Sequence, residues 1–164
     1  MPSKSIELKG FMTLFEDVNG FGTWDRRWCF LNNYNISYWK YPEDEYRNGP
    51  LGIINLTKCI NEKVSILPRD LCARKYSIEL SICDNEAALT CDDLNNEKMK
   101  IKRYFNHFLI LNIKTEIFYL LQYFLRYRLS ADTKDQLNDW LTNINYALAN
   151  LRLWNPKAVK PIKK

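Results

Sequence analysis

Trp24-Asp25-Arg26-Arg27-Trp28-Cys29-Phe30-Leu31 is the stretch on which the fold turns. Arg27–Leu31 is rich in aromatic and apolar residues, with Asn19-Gly20 upstream and Asn32-Asn33 directly after it. Runs of this kind between turn residues read as strands. Reading upstream, Leu8–Phe15 is a first strand ending in a turn over Glu16–Gly22. Reading downstream, Ile36–Tyr41 alternates in strand fashion, Pro42–Pro50 is a polar loop, and Gly52–Leu56 and Tyr76–Ile82 are further short strands. Tyr123–Leu129 is the last. Short strands spaced by turns predict a small barrel or sandwich.

The period then changes. Leu137, Trp140, Leu141, Ile144, Leu148 and Leu151 recur at steps of three and four and mark one face of an α-helix of about five turns. Thr133 and Gln136 have capping-box spacing, with Asp132 as rival cap, and Pro156 ends the element. Such a helix is long enough to close one end of a barrel. The expected architecture is mainly β: two packed antiparallel sheets of about seven strands, capped by one C-terminal helix.

Composition excludes several classes. The chain has 164 residues, 46% hydrophobic and 26% charged, with 5 Gly, which is globular and neither disordered nor collagen-like. Tyr104–Leu129 is the richest apolar stretch, but Lys114, Glu116, Arg126 and Arg128 interrupt it too often for a membrane-spanning helix. The N-terminus carries no apolar signal-peptide core. Five cysteines, an odd number without a C-x-x-C pair, argue against a disulfide framework or a zinc site and for reduced, buried thiols in a cytoplasmic protein. The net charge of +5 is not a property of the whole chain: residues 1–151 hold equal numbers of basic and acidic side chains, and the excess lies in Arg152, Lys157, Lys160, Lys163 and Lys164. A uniformly basic nucleic-acid binder is therefore not expected. His107 is the sole histidine, Gly20-Phe21-Gly22 is too short for a nucleotide fingerprint, and no nucleophile–base set stands out. No enzyme activity, cofactor or metal is expected.

The plan of strands plus one capping helix resembles the pleckstrin-homology (PH) family, and residues agree. Trp24–Leu31 looks like that family's second strand, Tyr38-Trp39-Lys40-Tyr41-Pro42 resembles its third, and Trp140 stands where it keeps a core tryptophan. The resemblance covers residues 8–153. Within the family, six segments in order look like the anillin group of cytokinesis scaffolds: Phe15–Val18, Gly20–Gly22, Arg26–Cys29, Leu71–Lys75, Leu129–Lys134 and Leu151–Pro156. This implies a PH domain over 7–153, with 84–122 a variable insertion, followed by a basic tail over 154–164. It also implies a peripheral module at the cell cortex and cleavage furrow that contacts phosphoinositide and septins, with contractile-ring proteins reached through the rest of a longer scaffold. We expect this chain to be a fragment or short product of such a scaffold. A purely septin-binding domain with incidental lipid contact is the alternative.

Phosphate recognition needs cations with several donors. The resemblance implies a lysine late in strand one and a basic-x-Arg triplet in strand two. Here those positions hold Leu14 and Asp25, and only Arg27 matches. Arg27 is the first phosphate candidate; Arg26, Lys40, Arg47 and Lys9 follow from the general position of the site. Neighbours in a strand face opposite ways, so Arg26 and Arg27 cannot share one pocket. Arg27 has a structural alternative, an ion pair with Asp25 or Glu16. Lys157, Lys160, Lys163 and Lys164 offer diffuse attraction to an anionic leaflet, at about 1 kcal/mol each. Lys98–Arg103 is a further basic cluster. Residues 97–122 fit the family poorly; Lys98–Gln122 uses the residue types of AT-rich codons, and Ile117–Gln122 matches a translated pyrimidine-rich tract ending in CAG. We expect retained intronic sequence or a gene-prediction error there, or else an insertion before the last strand.

Overall fold

The computed structural model describes residues 4–18, 21–83 and 124–153. The expected insertion, the Lys98–Arg103 cluster, His107, Cys91 and the lysines of the tail lie outside the described residues.

Six strands are present among the described residues: β1 (Glu7–Val18), β2 (Phe21–Asn32), β3 (Asn35–Trp39), β4 (Gly52–Asn55), β5 (Ser77–Cys83) and β6 (Phe124–Ser130). All pairings are antiparallel, in the order β4-β3-β2-β1-β6-β5. The architecture is the expected mainly-β one, a curled antiparallel sheet with one C-terminal helix, α1 (Lys134–Leu153). One detail differs from two separate sheets. Thr13, Leu14 and Phe15 of β1 pair with Ser130, Leu129 and Arg128 of β6, which joins the halves into one continuous sheet. The segment before β5 touches that edge strand only at isolated bridges, Cys59 with Ile82 and Ile66 with Ile78.

The β1–β2 hairpin is longer than its sequence suggested. Glu16–Val18 and Phe21–Gly22 read as turn but are strand, with Glu16 opposite Thr23 and Phe15 opposite Trp24. The Phe15 and Trp24 rings lie 5.2 Å apart, and such a cross-strand aromatic pair carries the ladder past the polar residues. Gly22 permits this, because a Cβ there would run into the Phe15 ring. Pro42–Tyr46, read as loop, forms a 3-10 turn with Pro42 at its first position.

Alternation sets the two faces. Met12, Leu14, Cys29, Leu31, Ile36, Ile54, Ile78, Leu80 and Leu129 are buried on the inner face. Helix α1 closes over them with Leu137, Trp140, Ile144, Ala147 and Leu148. Thr133 is the cap: its Oγ1 accepts from Gln136 N at 3.2 Å, and Gln136 Oε1 accepts from Asp132 N at 3.0 Å. Asp132, the rival cap, instead pairs with Arg26. Gln136 Nε2 also donates to Phe11 O at 2.6 Å, and Asn145 exchanges two hydrogen bonds with the backbone of Val64, which fixes α1 on the sheet. Cys29, Cys59, Cys72 and Cys83 are buried and form no disulfide among the described residues. Burial pushes the Cys29 thiol up to about 12, so it is a core group and no nucleophile.

Trp140 is 1% exposed and is the largest fully buried side chain among the described residues. Trp140→Ala should cost about 3–5 kcal/mol, read as a fall in the chemical-denaturation midpoint, while Leu153→Ala at the exposed end of α1 should leave it nearly unchanged.

Candidate functional site

Arg27 lies opposite Met12 and shares the inner face with Leu14 and Cys29. Its side chain is only 16% exposed. An arginine on an otherwise apolar face needs counter-charge, and two carboxylates supply it. Arg27 Nη2 is 3.4 Å from Glu16 Oε2 and 3.5 Å from Asp25 Oδ2. Arg27 Nη1 donates to the Arg26 carbonyl at 3.3 Å. Arg27 Nε is buried and has no hydrogen-bond partner on the chain. The cluster is therefore one guanidinium between two acids, with formal charge −1. The structural alternative for Arg27, a salt bridge with Glu16 or Asp25, is what its geometry shows.

Tyr38 extends this patch along β3, and sequence reasoning missed its part in it. Burial first, then Tyr127 and Glu16, push its hydroxyl up to about 12, against a smaller opposing pull from Arg27. Gly52 stands opposite Tyr38, and a Cβ there would strike the Tyr38 hydroxyl. The available signal was parity: Tyr38 is two residues from buried Ile36 and so faces inward.

The other sequence candidates do not join Arg27. Arg26 faces outward, opposite Thr13. Its guanidinium lies over the Phe11 ring at 4.6 Å and meets Asp132 Oδ2 at 2.8 Å. Lys9 is also on the outer face, opposite Phe30, over that ring at 4.3 Å and ion-paired with Glu45. The hydrogen bond to Glu45 raises the Lys9 ammonium, and that from Lys9, with one from Trp28 Nε1, lowers the Glu45 carboxyl. Lys40 and Arg47 are exposed on the β3–β4 connection and form no ion pair among the described residues. Lys157, Lys160, Lys163 and Lys164 lie outside the described residues. No group of His, Cys, Asp and Glu able to hold a metal is found among the described residues, and no described helix is long and apolar enough to cross a membrane.

Tyr38 gives a pH signature. The fold favours its neutral form, so the associated stability is complete below the ordinary value of 10 and is lost as pH rises towards 12. Thermal melts should show an alkaline fall over that interval that Tyr38→Phe flattens. An identical fall in Tyr38→Phe would assign it to other groups.

Comparison with known proteins follows the same lines. A family model described as PH domain matches residues 6–149. The chain is 42% identical to anillin of Drosophila melanogaster over 93% of its own length and 11% of that protein. It is 37% identical to anillin of Homo sapiens over 99% of its own length and 13% of that protein. The chain thus spans about an eighth of the human relative. Among solved structures, the PH domain of human oxysterol binding protein-related protein 11 matches with a TM-score of 0.54 at 11% identity, covering 100% of this chain and 98% of that one. The PH domain of human TBC1 domain family member 2 protein matches at 0.52 and 15%, with the same coverage. These two likenesses concern the fold. With its curled sheet, its capping helix around Trp140 and a family match over nearly its whole length, the chain belongs to the PH-domain family.

Proposed function

We propose that the chain is a non-catalytic membrane-targeting module of a cytokinesis scaffold. It attaches to anionic phosphoinositide, phosphatidylinositol 4,5-bisphosphate in particular, and to septins at the cell cortex and cleavage furrow. Other parts of the scaffold would reach the contractile-ring proteins. Its similarity to anillins over more than nine-tenths of its length supports the cytokinetic role.

The observation that carries the lipid mode is the state of Arg27. A phosphate entering that pocket gains the free Arg27 Nε but meets Glu16 and Asp25 already on the guanidinium. The pocket is a weak anion site, and diffuse attraction by the lysines of residues 154–164 supplies the rest. The same neutralisation of Arg27 favours a second reading, in which septin is the partner and lipid contact is incidental.

Vesicle flotation separates these readings. The full chain should float with vesicles containing phosphatidylinositol 4,5-bisphosphate and not with pure phosphatidylcholine, and binding should weaken as salt rises. Removing 154–164 should weaken it by at least about tenfold, since four lysines are lost at roughly 1 kcal/mol each before screening. Glu16→Gln with Asp25→Asn should tighten it. Binding indifferent to anionic lipid sinks the lipid half. Septin cosedimentation that survives charge reversal at Arg26, Arg27 and Lys40 establishes the second reading.

A further inference from the structure

The connection between residues 68 and 76 is used by none of the contacts above, yet it gathers several exposed cations. Arg69, Asp70, Arg74 and Lys75 are all exposed, and none takes part in an ion pair among the described residues. Three cations face one acid. Between them Leu71 is 59% exposed.

This loop is held firmly. Leu71 N and Cys72 N both turn back to Pro68 O at 3.1 Å, and Cys72 is buried beneath. Ser77 Oγ donates to Arg74 O at 3.1 Å, Ser130 Oγ to Lys75 O at 2.9 Å, and Ala131 N to Tyr76 O at 3.0 Å. Tyr76 has φ 55, a left-handed conformation that a bulky residue adopts only when its surroundings impose it. The Arg74 guanidinium lies 5.2 Å over the Trp24 ring, which seats the loop against the outer side of the β1–β2 hairpin, away from Arg27. An apolar side chain ringed by cations on a clamped loop suits the boundary between head groups and acyl chains, and little ordering entropy remains to be lost on contact.

We propose that this loop is a second membrane contact, taking an anionic bilayer surface with Leu71 inserted and Arg69, Arg74 and Lys75 among the head groups; the proposal rests on the lipid-binding reading above. Charge complementarity selects the occupant. The other apolar exposed connection, with Tyr41, Tyr46 and Leu51, carries Glu43, Asp44 and Glu45 against Lys40 and Arg47, which is the wrong balance for an anionic surface.

The test uses the full chain and vesicles of phosphatidylcholine with phosphatidylserine and phosphatidylinositol 4,5-bisphosphate. Leu71→Glu, and separately the triple reversal Arg69→Glu, Arg74→Glu, Lys75→Glu, should each weaken binding by about tenfold or more, with melting midpoints near that of the parent. As a readout independent of those variants, Leu71→Trp should gain fluorescence quenching by brominated acyl chains beyond that of the parent chain. Binding by the parent chain with neither loss in the variants nor extra quenching overturns this contact and leaves the lipid-binding reading standing. No binding by the parent chain overturns both.

Discussion

The packing of α1 against the inner face of the curled sheet is the constraint on which the rest of the structure depends. A single sheet of short strands that curls on itself leaves apolar residues uncovered, and Leu14, Leu31, Ile54 and Leu80 are fully buried here only because something lies over that concavity. Leu137, Trp140, Ile144 and Leu148 provide the apolar cover. Polar contacts then fix where the cover sits: Gln136 on the Phe11 carbonyl, Asn145 on Val64, and the Thr133 cap at the helix start. These tie the helix to β1 and to the segment ahead of β5, elements far apart in sequence. Hydrophobic burial supplies most of the stabilisation, and the hydrogen bonds select one docking geometry.

The same economy of partners governs charge. Arg26 meets Asp132, Lys9 meets Glu45, Arg128 meets Glu79, and Arg27 meets Glu16 and Asp25. The exposed Arg26–Asp132 pair contributes little to stability, under about 1 kcal/mol. The larger effect of these pairs is on the field outside the domain. A cation beside a carboxylate projects little potential beyond a Debye length, so the paired charges among the described residues contribute little field to the surroundings. Among the described residues, the exposed cations outside such pairs include Lys40 and Arg47 after β3 and Arg69, Arg74 and Lys75 before β5.

Much of this was legible in the residues. Helix α1 follows from apolar steps of three and four, and its start follows from Thr133 and Gln136. The opposite orientations of Arg26 and Arg27 follow from strand parity alone. The length of the hairpin did not, because Glu16, Asp17 and Gly22 carry turn chemistry, and only the Phe15–Trp24 pairing overrides it. Partners distant in sequence were also hidden. Nothing local to Arg26 indicates that Asp132, 106 positions later, will come to meet it. The pairing of Arg27 was visible because both of its acids lie near it in the hairpin. Residue type thus identified the charged groups, and tertiary proximity decided which of them remain available.

The parity of β2 has a consequence for how this domain can vary. Trp24, Arg26, Trp28 and Phe30 face one way, and Asp25, Arg27, Cys29 and Leu31 the other. Deleting or inserting one residue within the strand would exchange these sets, sending tryptophans and Arg26 towards the core and Cys29 and Leu31 to solvent. Paired changes of length keep this parity, and a single-residue change needs a β-bulge or a strand end to absorb it. The hairpin is thus a frame whose body resists odd changes of length.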